Sequence, residues 1–185
     1  MLDLSRLCIK EGVFVWKLCV DVYVLDHDGC VFDAALTAAV GALRDCVVPF
    51  VAVDDRGKLS WGGAGKRKRG AAEEEEDAGV EEGGDAKEGE TETTAEPCAC
   101  EVRHVPLSLT SGLYRGQLIV DPDAEEESLM EAVVSVVMRE DGALVGVVKP
   151  GGTVEASETS LMHCIAAARL HYGARAEALD GAFSA

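Results

Sequence analysis

The sequence predicts an α+β fold, a mixed sheet packed against helices, and three observations carry that prediction. Segments rich in β-branched and aromatic residues recur at 13–26, 105–120 and 133–148, in the manner of strands. Two further segments, 33–44 and 157–173, place apolar residues at the three-and-four spacing of helices with one buried face. Between these halves, residues 62–101 change composition so abruptly that they read as an insertion.

The first strand is expected over Val13 to Asp26, interrupted only by Lys17 and Asp21. His27-Asp28-Gly29-Cys30 supplies turn chemistry. From Asp33 to Arg44, residues Ala35, Leu36, Ala39, Val40 and Leu43 share one helical face, with Asp33 and Arg44 at the ends that the helix dipole favours. Pro49 closes this unit, and Val48 to Val53 begins another strand.

After Trp61 there is almost nothing to bury. The stretch 62–101 begins Gly-Gly-Ala-Gly, passes through Lys66-Arg67-Lys68-Arg69 and continues in Glu, Gly, Ala and Thr. Such a composition cannot offset its ordering entropy, so disorder is expected there. The basic tetrad has two readings, a nuclear import signal or a solvated run balancing its acidic neighbours.

Order is expected to return with strands at Val105 to Leu109 and Leu113 to Val120, separated by a turn at Thr110-Ser111-Gly112. A third strand, Val133 to Arg139, turns through Glu140-Asp141-Gly142 into Ala143 to Val148, where Asp-Gly between β-rich runs signals a hairpin. The last helix starts from an N-cap at Ser157 and carries Leu161, Cys164, Ile165 and Ala168 on one face. Gly173 is expected to end it.

Charge and cysteine content exclude several classes. The chain has 185 residues, 17 basic against 34 acidic, for a net charge of −17. Of these, 13 acidic residues and one lysine fall between Ala71 and Glu101, a local −12 that leaves −5 for the other 154 residues. A self-sufficient basic nucleic-acid binder is excluded, while the folded part is nearly ordinary. No apolar run reaches the roughly 18 to 20 residues of a membrane span, and MLDLSRLCIKEG lacks the form of a secretory signal. Seven cysteines, with Cys8, Cys19, Cys30 and Cys46 in apolar segments as expected buried hydrophobes, read as a reducing, intracellular setting. Cys98-Ala99-Cys100 is one residue short of a CxxC pair and has no second pair, so no zinc site is expected.

The ordered set of motifs carries a resemblance. Leu25-Asp26-His27-Asp28-Gly29-Cys30-Val31-Phe32-Asp33-Ala34, then an Ala/Leu-rich helix, then Val120-Asp121-Pro122-Asp123-Ala124-Glu125-Glu126-Glu127 and Lys149-Pro150-Gly151-Gly152 resemble the RNase PH-type domain. The likeness spans residues 6–60 and 102–173 and is strongest to the non-catalytic ring subunits of the eukaryotic RNA exosome core. It implies an RNase PH-type, ribosomal protein S5 domain 2-like fold. Residues 1–61 would be the C-terminal part of a first RNase PH-like half, 62–101 a disordered acidic insertion and 102–185 the second half. Because the family has strands and a helix ahead of the long strand, the chain is expected to be N-terminally truncated, with open edges and poor solubility on its own.

Two departures bear on chemistry. The family's catalytic members hold phosphate with Gly-(Ser/Thr)-Arg after the Asp-Gly, where this chain has Cys30, Val31 and Phe32. They also place an Asp six residues after the last acid of the Glu-rich turn, and here that position is Val133. The resemblance therefore implies no catalytic residue, metal or cofactor. Asp121, Asp123, Glu125, Glu126 and Glu127 read as a polar turn rather than a cation cluster. His27, His104, His163 and His171 have no defined catalytic relation. Arg103, Arg115, Arg139 and Lys149 are conceivable RNA contacts or ordinary surface cations.

What the resemblance implies is a structural subunit supporting 3′ to 5′ RNA processing and degradation, including rRNA maturation and mRNA turnover. It would sit among other RNase PH-like and cap subunits around a channel for single-stranded RNA, away from membranes, in nucleus, nucleolus and cytoplasm. The alternatives are a phosphate-dependent 3′ to 5′ exoribonuclease and an acidic adaptor whose residues 71–101 recruit a basic partner.

Overall fold

The computed structural model describes residues 2–49, 51–53, 58–61, 93–95 and 98–183. In chain order the elements are a 3-10 turn at Leu4–Leu7, β1 Cys8–Lys10, β2 Phe14–Val15, α1 Val31–Asp45, β3 Val47–Val48, β4 Val51–Val53, β5 Leu59–Trp61, β6 Thr93–Ala95, β7 Cys98–Ala99, β8 Leu107–Tyr114, β9 Gln117–Val120, α2 Ala124–Leu129, β10 Ala132–Met138, β11 Leu144–Val148 and α3 Glu158–Phe183. The α+β class is as the sequence predicts.

Two compact units form, and neither is contiguous in sequence. One comprises Met1–Asp3, Leu18–Cys46 and Cys100–Ala185; the other comprises Leu4–Lys17 and Val47–Ala99. Among its described residues the smaller unit holds the 3-10 turn and antiparallel strands: β1 pairs with β2, β3 with β7, and β4 lies between β5 and β6. Residues 93–95 and 98–99 thus belong to strands, although the sequence places them at the end of a disordered insertion. The β-branched Thr93 and Thr94 lie in register with Val53 and Ala52, where β4 offers a ladder to join. The basic tetrad at 66–69 and most of the acidic run lie outside the described residues.

The larger unit holds the principal core. Its antiparallel sheet has the order β11-β10-β8-β9. Leu109 of β8 and Val134, Val136 and Met138 of β10 pack with Cys164 and Ala168 of α3. A second cluster joins Val40 of α1 and Leu107 of β8 to Leu179 of α3, with Leu36, Val105, Tyr172 and Ala176 around it. The Tyr172 hydroxyl donates to the Val105 carbonyl at 2.7 Å. α3 begins as predicted: the Ser160 N–H donates to the Ser157 hydroxyl at 3.1 Å. It does not stop at Gly173 but runs ten residues further, because Ala176 and Leu179 continue the buried face beyond the glycine. α3 contains no stretch apolar enough to cross a membrane, and neither does any other helix of the described residues.

Three other expectations are corrected. The strand expected over Val13 to Asp26 is reduced to β2 and the Trp16 N–H, which donates to the Leu7 carbonyl at 2.7 Å; beyond it no strand of the described residues pairs with the segment, and Val20, Val22, Tyr23, Val24 and Leu25 are exposed. The expected turn at Thr110-Gly112 is the middle of β8. Gly112 leaves room for Met130, whose Cγ and Sδ would lie 2.5 Å from a Cβ there. The reversal comes at Arg115-Gly116, both with positive φ (51° and 75°), the backbone of a two-residue hairpin turn. Of the cysteines expected to be buried, Cys30 is, Cys46 is half-buried, and Cys8 and Cys19 are exposed, on a small edge hairpin and on the unpaired stretch.

Candidate functional site

The residues that separate this chain from a phosphate-binding one meet where α1 begins. Gly29 has φ +85°, and a Cβ there would lie 2.4 Å from the Pro122 carbonyl oxygen and 2.7 Å from the Asp123 carbonyl carbon. Only glycine permits both the left-handed backbone and this approach. Cys30 follows, also left-handed (φ 46°), as the residue that caps α1. Its thiol donates to the Pro122 carbonyl at 3.3 Å, and its N–H donates to Glu127 Oε2 at 3.1 Å.

The acidic segment is not an open turn. Asp121 (φ 58°) turns the chain out of β9, Pro122 is fully buried, and α2 starts at Ala124. Asp123 and Glu126 form a reciprocal capping box: the Glu126 N–H donates to Asp123 at 2.8 Å and the Asp123 N–H to Glu126 at 3.2 Å. A further helical donor, the Ala124 N–H, lies 3.4 Å from Asp28 Oδ1. Asp28, Asp123, Glu126 and Glu127 thus accept from backbone donors, a use that the pattern S/T/D-x-x-E before a helix signals for Asp123 and Glu126.

Beside this junction Asp33 completes a ladder. β9 pairs with β8 up to Ser111↔Val120. One step further, Asp121 donates its N–H to the Thr110 carbonyl at 3.0 Å, but the return bond comes from elsewhere: the Thr110 N–H donates to Asp33 Oδ2 at 2.8 Å. The Thr110 hydroxyl donates to Asp33 Oδ1 at 2.8 Å, so the Ser135 hydroxyl, 2.8 Å from Thr110 Oγ1, must be the donor to it. Arg175 closes the set, donating to Asp33 at 2.9 Å and to the Ser108 carbonyl, with Asp121 at 3.5 Å. Asp33 is 6% exposed, and this pairing is what allows a charge to be buried there.

Arg175 was not legible as a site residue because it lies beyond the glycine expected to end α3. The signal was present in Tyr172, Ala176 and Leu179, which carry the apolar spacing past that glycine.

Burial raises the Cys30 thiol to about 12, and the Asp121, Asp33 and Glu127 carboxylates push it the same way. It is therefore a protonated donor at neutral pH rather than a nucleophile. The junction offers an incoming anion Val31, Phe32 and a thiol, and the amide of Cys30 already holds the protein's own carboxylate. Val133 lies on β10 opposite Gly112.

The four basic residues named from sequence do not converge. Arg103 pairs with Asp3, Arg139 with Asp141 at 2.5 Å, Lys149 donates to the Gly151 carbonyl, and Arg115 stacks over Tyr114 at 5.1 Å. Among the histidines, His104 Nδ1 lies 2.6 Å from Glu140, a bond that holds the Glu140 carboxyl below its usual range. His163 and His171 remain on α3 without a shared site.

Comparison with known proteins gives a consistent picture. Residues 3–49 match domain 1, and residues 104–169 domain 2, of the 3′ exoribonuclease family, together more than half of the chain. Exosome complex component Rrp42 of Methanopyrus kandleri is 33% identical over 80% of this chain and 44% of its own length. That of Methanocella arvoryzae is 28% identical over 97% of this chain and 54% of its own. The chain thus spans about half the length of these relatives. An archaeal exosome core structure superposes with a TM-score of 0.60 at 26% identity, covering 89% of this chain and 50% of that one. An Archaeoglobus fulgidus exosome with RNA bound to the active site gives the same score and identity.

Proposed function

The chain belongs to the 3′ exoribonuclease family of RNase PH type, and from that membership we propose that it is a non-catalytic ring subunit of an RNA exosome core. The observation that carries the non-catalytic part is the seat at the start of α1. A phosphorolytic site must hold inorganic phosphate beside the scissile bond, and helix amides, a hydroxyl and a guanidinium do this well. Here the corresponding side chains are Val31 and Phe32, and Glu127 bonds the Cys30 amide at 3.1 Å. A second anion brought beside Glu127, Asp121 and Asp33 meets like charge compensated by Arg175 alone. The remaining role is architectural. The subunit contributes shape and interfaces to a ring of RNase PH-like subunits with cap subunits above it, single-stranded RNA passes through the assembled channel, and other members cut.

Two measurements test this. Tagged protein expressed in its own cells should bring down other RNase PH-like subunits; recovery of none overturns the ring assignment. Purified chain incubated with single-stranded RNA and inorganic phosphate should release no nucleoside diphosphate above background. Phosphate-dependent release would instead establish the enzyme. On this reading the protein works in nucleus, nucleolus and cytoplasm. Replacing Lys66-Arg67-Lys68-Arg69 by alanines in a fluorescent fusion asks whether the tetrad directs import, with cytoplasmic retention the expected result.

A further inference from the structure

Cys46 and Cys100 stand opposite one another where the chain leaves the larger unit and where it returns. Cys46 follows the last turn of α1 in an extended conformation (φ −71°, ψ 125°), and Cys100 follows β7. Both belong to the larger unit, and Val47–Ala99 between them to the smaller one. β3 and β7 pair Val47 with Ala99 and Val48 with Cys98. One rung further the same antiparallel register sets Cys46 against Cys100, and the Cys100 N–H donates to the Cys46 carbonyl at 2.9 Å.

That placement fits a disulfide. Opposed residues of an antiparallel pair project to the same face, with Cα atoms about 5.5 Å apart where the pair is hydrogen-bonded. A disulfide takes Cα separations of about 4.4–6.8 Å. Cys46 is half-buried and Cys100 is 7% exposed, and both carry thiols in this structure. Two sulfurs are too few for a metal, and no set of three His, Cys, Asp or Glu that could hold one exists among the described residues. Cys30 and Cys164, by contrast, are buried against the Pro122 carbonyl and in the main core.

We propose that Cys46 and Cys100 are a redox pair, closed to a disulfide by hydrogen peroxide and reopened by a thiol reductant. Cys46, the more accessible, attacks the peroxide first: its sulfur takes one oxygen to become a sulfenic acid, and the rest of the peroxide leaves as water. The Cys100 sulfur then attacks the Cys46 sulfur. The S–S bond forms, the S–O bond breaks, and a second water carries off that oxygen with the thiol proton. Two thiols lose two electrons and two protons, and one peroxide becomes two waters. The disulfide adds a covalent rung beside the two that β3 and β7 make, and closes Val47–Ala99 into a loop. The proposal does not rest on the ring assignment, and failure of the co-purification above leaves it standing.

Peptide mapping of the full chain tests this. The reduced chain is treated with hydrogen peroxide, remaining thiols are blocked with iodoacetamide, and the products are unfolded and digested with trypsin without reductant. Trypsin leaves Cys46 in peptide 45–56, and Cys100 together with Cys98 in peptide 88–103. Mass spectrometry should find these peptides joined, lighter by two hydrogens than the separate thiols, and dithiothreitol should release them. The joined pair should keep its yield in Cys98→Ser and fall about tenfold or more in Cys100→Ser. Cys98→Ser leaves Cys100 as the one cysteine of its peptide, so the linkage is unambiguous there even where Cys100→Ser fails to fold. A joined pair that disappears in Cys98→Ser and survives in Cys100→Ser overturns the proposal. So does its absence from the parent chain, whether Cys46 stays alkylated, goes on to sulfinic acid, or joins Cys8 or Cys19 instead.

Discussion

Replacing Asp33 by alanine would leave two partners stranded at once. The Thr110 N–H would lose the acceptor that ends its ladder, and Arg175 would keep its charge half-buried beside Ser108 with Asp121 only at 3.5 Å. Removing one member of a buried pair costs about 3–5 kcal/mol, more than the pair itself contributes. Urea unfolding of Asp33→Ala should show a loss of that order, and a loss under about 1 kcal/mol would mean that the network is solvent-screened. At Cys30 the sign of the pH effect follows from a folded value of about 12 against 9.0 for a free thiol. The stabilisation is complete below pH 9 and drains away as pH rises toward 12, because the unfolded thiol ionises first. At pH 8, iodoacetamide should therefore label the exposed Cys8 and Cys19 well before Cys30, as peptide mass spectrometry can follow. Early labelling of Cys30 would contradict the burial described.

Local chemistry decides the elements where regular pattern does not. The β8–β9 hairpin turns through Arg115, a residue poorly suited to φ 51°, with Gly116 beside it. Asn or Gly is preferred at the first of these positions, so Arg115→Asn should stabilise the protein by about 0.5–1 kcal/mol in thermal or urea melts. Asp123→Ala removes half of the α2 capping box and should cost about 1 kcal/mol. β10 was legible as a continuous buried apolar run, β11 from its β-branched residues after Asp-Gly although it is largely exposed, and both long helices from apolar residues at three-and-four spacing. The β8 turn was misplaced because Thr-Ser-Gly carries turn composition, while Gly112 serves the thioether of Met130, a contact that no local pattern reveals. α2 was hidden for the opposite reason: it buries nothing, and its stability comes from its cap. At the candidate site Cys30, Val31 and Phe32 were legible as departures from a phosphate cradle. Glu127 reaching Cys30, 97 residues away in the chain, was not.

The described structure as a whole carries an apolar surface with no strand beside it. Val20 to Leu25 form neither strand nor helix and no strand of the described residues pairs with them, with Leu25 97% and Tyr23 84% exposed. Contiguous exposed apolar side chains are sites of association. The purified chain should scatter light as species larger than a monomer, and Val22→Lys with Val24→Lys should reduce that scattering. A monodisperse monomer of the unmodified chain would show this surface to be innocuous. The tie between Gly29 and Pro122 bears on how such a chain tolerates change between its two family segments. The junction closes a loop of more than ninety residues that contains the acidic stretch. The contact is made by backbone, the space of an absent Cβ against a proline carbonyl, so any side chain at position 29 forces the two segments apart however the residues between them are arranged.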